Sequence, residues 1–142
     1  VGAIVSGMGA EQIDALASYG HKLGIAFQMI DDLLDYSANK TGKNAGDDFY
    51  EGKITLPVLL LLQQASFEVR DTLTNMFTQQ EFTVHNYDYC LEQIERYSVM
   101  EGCRKLAFQV MEEACLALEG LPKSIHREHL AHIVHITKER MS

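Results

Sequence analysis

Gln28, Asp31, Asp32 and Asp35 are spaced as residues on one side of a helix. At about 100° per residue they project within roughly 100° of one another, and Leu23, Ile30 and Leu34 point the opposite way. One helix would then carry three carboxylates and an amide on a stripe and bury its back in a core. Neighbours three or four residues apart lie about 5–6 Å from each other. Each like-charged pair at that range costs on the order of 1 kcal/mol in water and about 3 kcal/mol at an effective dielectric of 20. No basic residue stands three or four places from Asp31 or Asp32. A divalent cation would relieve both, and paired carboxylates with substrate phosphates are the usual protein setting for magnesium. A solvated acidic face near a helix end shows the same D-D-x-x-D, but it does not call for the continuous apolar stripe behind this one.

The segment that follows adds the opposite charge. Lys40, Lys43 and Lys53 come with Gly42, Gly46 and Gly52, so cationic ends ride on a flexible backbone. A lysine ammonium is a compact point charge suited to a phosphate oxygen, although lysines in a loop also serve solubility. Asp47 and Asp48 fit either indirect metal ligands or loop caps.

The elements that must hold these groups are helical. Apolar residues at 13, 16, 17, 23, 26, 27, 30, 33 and 34 predict a long helix from Glu11 to Tyr36. Residues 37 to 53 break the pattern and read as a loop. Pro57 suits the first turn of a helix over Leu56 to Gln64 that is apolar almost all round. Further helices are expected at about 66–77, 84–97 and 100–118. Gly120 and Pro122 stop the last of these, and Ser124 caps a final helix to about Arg140. The fold class is all-α, an antiparallel helical bundle with short connections, and residues 1–142 form one domain or part of one.

Composition excludes several functions. With 46% hydrophobic and 23% charged residues the chain is globular rather than disordered. Twenty acidic residues against 12 basic ones give a net charge of -8, so no nucleic-acid partner is expected. A metal ion can still reverse the local sign for a phosphorylated substrate. The longest apolar run, Leu56 to Leu62, is too short to cross a bilayer and no leader precedes it, so a cytoplasmic address is the expectation. Cys90, Cys103 and Cys115 lack any C-x-x-C pairing and read as buried, reduced thiols. His126, His129, His132 and His135 step by three along the last helix and spiral rather than converge. Phe82, Tyr87, Tyr89 and Phe108 read as core or interface residues. The chain opens on Val1 amid small apolar residues, as if inside an element of a longer protein.

Gly24 to Tyr36, with Phe27-Gln28 leading Asp31-Asp32-Leu33-Leu34-Asp35, resembles the second aspartate-rich motif of the trans-isoprenyl diphosphate synthases, the polyprenyl synthetase family. Thr41 to Asp48 and Glu51 to Pro57 resemble that family's G-K-x-x-G-x-D and E-G-K-x-T-L-P signatures. Leu121 to Arg140 resembles the end of long-chain, octaprenyl-like members. The resemblance implies the C-terminal half of an isoprenoid-synthase fold and a dimeric intact enzyme. It further implies condensation of isopentenyl diphosphate with an allylic diphosphate, with magnesium bridging the leaving diphosphate to two aspartate motifs on facing helices. By position, Asp31, Asp32 and Asp35 would carry metal, Lys43 and Lys53 would hold the allylic diphosphate, and Gln28 would face the reacting centre. The family's first aspartate-rich motif, around which product length is set, is missing from these 142 residues. This implies an incomplete fragment, inactive alone. The alternative is a noncatalytic helical subunit that completes a bundle with a second chain.

Overall fold

The structure, a computed structural model, describes residues 1–37 and 45–139. In chain order the helices are α1 (Gly2–Val5), α2 (Ala10–Asp35), α3 (Asp47–Tyr50), α4 (Leu56–Gln64), α5 (Phe67–Gln79), α6 (Val84–Arg96), α7 (Val99–Ala117) and α8 (Ile125–Glu139). A 3₁₀ turn, Leu118–Gly120, precedes α8. Among the described residues there is no strand, and no helix is long and apolar enough to cross a membrane. The expected boundaries hold within two residues. One difference is substantive: the stretch read as a loop contains the single turn α3. Lys40 and Lys43 lie outside the described residues.

Two compact units divide the chain, residues 31–105 and residues 1–30 with 106–142. In the first of these, α4, α5 and α6 pack on one another. Phe49, Val58, Leu61 and Leu73 are fully buried between them, and Leu33 and Tyr36 close the core from the end of α2. Pro57 stands second in α4, where its missing N–H and fixed φ cost the helix nothing. The side chains of Ser66 and Thr83 accept from the N–H groups of Val69 and Asn86, capping α5 and α6. Cys90 and Cys103 are buried, reduced thiols as expected, whereas Cys115, in the other unit, is only half-buried.

That other unit joins α2, α7 and α8. The Tyr19 hydroxyl donates to the Leu130 carbonyl at 2.8 Å, tying α2 to α8. Lys22 pairs with Glu113, and Lys138 lies 5.0 Å above the Phe108 ring. Ser124 Oγ accepts from Arg127 N at 3.2 Å, the cap anticipated for α8.

Aromatic packing holds α3. The Phe49 ring lies 5.4–5.8 Å from those of Tyr50, Phe77, Phe82 and Tyr87. Two loop glycines make room for this cluster. Gly46 has φ 84°, and a Cβ there would fall 2.5 Å from Tyr87 Cζ; Gly52 has φ 71°, with Phe82 Cε2 at 2.8 Å. Both need glycine for backbone angle and for space. Gly46→Ala is therefore expected to destabilise by about 2 kcal/mol or more, from a positive φ and an overpacked ring together. Gly20→Ala, in the open middle of α2, should instead stabilise by up to about 1 kcal/mol. Urea unfolding of the two variants beside the parent checks the opposite signs.

Candidate functional site

The aspartate stripe forms at the end of α2, with burial increasing along it. Asp31 is exposed and makes no hydrogen bond or ion pair among the described residues; Asp32 is half-buried; Asp35 is only 3% exposed. Both inner carboxylates accept from the start of another helix. Asp32 Oδ2 takes Leu56 N–H at 3.1 Å, the first residue of α4. Asp35 Oδ2 takes Asp48 N–H at 3.0 Å in the only turn of α3, and the Asp35 carbonyl takes Gly46 N–H at 3.0 Å. Helix starts leave N–H groups without intrahelical partners. Gly46 has no side chain to supply an acceptor, and Thr55 supplies none to α4. Asp35 and Asp32 act as caps from a distance. Part of the repulsion expected along the stripe is thus answered by backbone N–H groups and helix ends rather than by a cation alone.

Lys53 sits where α3 ends. Its Nζ lies 3.1 Å from Asp48 Oδ1 and 2.5 Å from Glu51 Oε2, with the side chain 56% exposed. These hydrogen bonds, Glu51 first and then Asp48, push its pKa up, so the ammonium stays charged through neutral and mildly alkaline pH. Asp47 and Asp48 form the first turn of α3. Asp35, Asp48 and Lys53 are joined by these bonds, and Asp32 is tied to Leu56 in the same unit. Lys43 lies outside the described residues. Gln28 lies on the other unit's part of α2, exposed and without a hydrogen bond among the described residues.

No group of three His, Cys, Asp or Glu residues among those described is gathered tightly enough to enclose a metal. Magnesium rarely needs such a cage, because one or two carboxylates with phosphate oxygens and water suffice. Asp31 and Asp32 fit that open requirement. Asp35 lies deeper, against Asp48. Along α8, His132 and His135 approach to 6.1 Å between rings, and the histidines do not converge into a larger cluster.

Burial, then the charge of Asp32, pushes the Cys103 thiol up to about 11, and burial pushes Cys90 up to about 12. Both stay protonated in the folded chain after unfolded thiols, ordinarily at 9.0, begin to ionise. The unfolded state then binds fewer protons, so stability falls as pH rises above about 9. Urea midpoints at pH 8 and pH 10.5 should show this fall, lessened in a Cys90→Ala, Cys103→Ala double variant. Asp35→Ala, which strips the acceptor from Asp48 N–H, is expected to cost about 1–3 kcal/mol. Asp31→Ala should stay within about 0.5 kcal/mol of the parent. The same unfolding experiment separates them.

The profile of the family described as Polyprenyl synthetase matches residues 1–94. The octaprenyl diphosphate synthase of Escherichia coli (strain K12) is 37% identical over 139 residues, covering 96% of this chain and 43% of that protein. The all-trans-nonaprenyl-diphosphate synthase (geranyl-diphosphate specific) of Rhodobacter capsulatus is 32% identical over 133 residues, 92% of this chain and 40% of that one. A crystal structure of a decaprenyl diphosphate synthase from Rhodobacter capsulatus superposes with a TM-score of 0.90 at 32% identity, over 99% of this chain and 44% of the other. A polyprenyl synthase from Caulobacter crescentus CB15, complexed with calcium and isoprenyl diphosphate, gives 0.85 at 33% identity, over 99% and 44%. The chain spans less than half the length of these relatives. With the profile matched over most of its length and solved prenyl synthases overlaying nearly all of it, the chain belongs to the polyprenyl synthetase family.

Proposed function

We propose that this chain carries one metal-binding side of a trans-prenyltransferase that condenses isopentenyl diphosphate with an allylic diphosphate to lengthen a polyprenyl chain. The allylic C–O bond breaks, and its electron pair leaves with the diphosphate. The double bond of isopentenyl diphosphate then closes on the carbocation, and a proton is lost. The observation that carries the reading is the exposed Asp31 carboxylate beside the half-buried Asp32, with Lys53 ion-paired to Asp48 and Glu51 in the same unit. Carboxylates of this kind suit magnesium, which when bound would neutralise charge on the departing diphosphate. The Caulobacter relative was crystallised with calcium and isoprenyl diphosphate, in keeping with a divalent cation and a diphosphate sharing one site.

Each residue then has a task. Asp31 and Asp32 would offer carboxylate oxygen to the metal, whereas Asp35, expected as a third ligand, is assigned elsewhere because it is enclosed and already accepts Asp48 N–H. Asp35, behind them, keeps the turn that bears Asp48 in place. Lys53 presents a positive charge to a diphosphate oxygen, and a charge placed beforehand stabilises the leaving group without reorganisation. Lys43 is assigned to the same anion, and Gln28 to the reacting centre, by sequence position alone. Relatives of this family carry more than twice this length, so the complete activity is expected of a longer protein, with octaprenyl the product class its tail resembles.

Purified residues 1–142 should give no condensation product from isopentenyl diphosphate and an allylic primer; measurable turnover refutes the assignment of half a site. In the natural full-length protein, Asp31→Ala is expected to reduce kcat by at least about a hundredfold with an unchanged melting temperature. Activity that survives the substitution removes Asp31 from the metal. A full-length protein that folds and binds pyrophosphate yet never condenses substrate favours the noncatalytic subunit instead.

A further inference from the structure

One aromatic residue of α6 packs on Tyr36, which follows Asp35, and on Gly46, Phe49 and Tyr50, which flank Asp48. Tyr87 is 7% exposed and lies in the first turn of α6, just past the Thr83 cap, where the backbone is well anchored. Its ring centroid is 5.4 Å from Phe49 and 5.4 Å from Tyr50, both in α3, and 6.2 Å from Tyr36, the residue after Asp35. The hydroxyl end of the ring covers Gly46, so that a Cβ there would meet Cζ at 2.5 Å, Cε2 at 2.6 Å and Oη at 2.9 Å. Gly46 is also the residue whose N–H returns the chain to the Asp35 carbonyl. On the other side, Tyr87 and Tyr36 line a cavity of about 500 Å³. Removing the ring would leave Gly46 facing that space.

We propose that Tyr87 is a positioning residue for the diphosphate-holding charges, seating Gly46 and α3 so that Asp48, and Lys53 through it, keep a fixed place relative to Asp35. The proposal rests on the function proposed above and adds a specific role to a residue outside the recognised motifs. The ring carries the role, because the Tyr87 hydroxyl makes no hydrogen bond among the described residues. The ring stops Gly46 from lifting away from α2. With that stop removed, the turn can shift by a fraction of an ångström without unfolding, since Asp48 N–H and Gly46 N–H are its described hydrogen bonds to α2. Lys53 then samples several positions, and a diphosphate must pay for its ordering on binding.

The test uses the natural full-length protein and its Tyr87→Phe and Tyr87→Leu variants, with three readouts: melting temperature, calorimetric binding of inorganic pyrophosphate in magnesium buffer, and steady-state kinetics. Phenylalanine keeps the ring, so pyrophosphate affinity and KM for the allylic diphosphate should stay within twofold of the parent. Leucine should weaken pyrophosphate binding by about tenfold and lower kcat/KM for the allylic diphosphate at least as much, because Lys53 serves the bound diphosphate and the leaving group alike. If Tyr87→Leu does not fold, Tyr87→Met, which retains length and volume without a ring, is held to the same expectation. A ringless variant that melts earlier but binds pyrophosphate like the parent reduces Tyr87 to core packing and overturns the proposal. A phenylalanine variant as impaired as leucine overturns the role of the ring. Pyrophosphate binding decides Tyr87 even where the parent condenses nothing, so failure of the proposed reaction is told apart from failure of this residue. A parent that binds no pyrophosphate refutes both.

Discussion

Two carboxylate-to-backbone hydrogen bonds organise the functional unit. Asp32 and Asp35 on α2 accept from Leu56 and Asp48, the opening N–H groups of two other helices. Neither helix is capped by its own preceding residue, because Gly46 lacks a side chain and Thr55 does not offer its hydroxyl. The aspartates are consequently part of how α3 and α4 begin. In return, each carboxylate faces a helix start, where the partial positive charge of the peptide dipoles is concentrated. Charge-assisted bonds of this type are about twice as strong as neutral ones. The motif thus serves the fold before it serves any ligand, and a metal has less repulsion left to relieve than the bare spacing implies.

Burial sorts the three carboxylates into different duties. Asp35 is enclosed and anchors a turn, Asp32 is half-enclosed and anchors a helix, and Asp31 is exposed. A display carboxylate is useful only if its helix cannot rotate, and the two anchors prevent that. Along the end of α2 and the α3 segment the described charges are mostly negative: Asp31, Asp32, Asp35, Asp47, Asp48 and Glu51 stand against Lys53. A free diphosphate would meet net repulsion there. A bound divalent cation inverts the local sign, which is the physical reason for pairing metal and diphosphate in one proposal.

Much of this arrangement was legible before any coordinates. The stripe of Gln28, Asp31, Asp32 and Asp35 follows from helical periodicity, as do Pro57 in the first turn of α4 and the Ser124 cap, which a 3.2 Å bond to Arg127 N supports. What could not be read depends on partners distant in sequence. The turn α3 has no periodic signal of its own, and four residues stay helical there because Asp35 and the Phe49 cluster hold them. Nothing in D-D-x-x-D distinguishes the enclosed aspartate from the exposed one. Gln80 and Ser98 adopt φ of 57° and 52° at turns between helices, where glycine or asparagine is the usual marker. Tyr87 looks like any aromatic on an apolar face, and only its seat on Gly46 sets it apart.

The hydroxyls beneath the stripe show how this unit trades stability for arrangement. Thr55 stands at the cap position of α4, yet its hydroxyl is buried against that of Tyr36, and the two meet without a well-aligned hydrogen bond between them or to any other described residue. Burial, above all other causes, drives the Tyr36 phenol pKa well above its ordinary value. A buried hydroxyl whose bonding is this poor costs up to about 1–3 kcal/mol. An outward Thr55 hydroxyl could serve the first turn of α4, where Pro57 leaves only the Leu56 and Val58 donors exposed. With Thr55 turned inward, the described side-chain acceptor at the start of α4 is the charged Asp32 of α2, on Leu56 N–H. A self-capped α4 would stand on its own; an α4 capped by Asp32 fixes the distance between the aspartate helix and the segment carrying Lys53. The hydroxyl pair is tolerated because the tie that takes its place locates a charge.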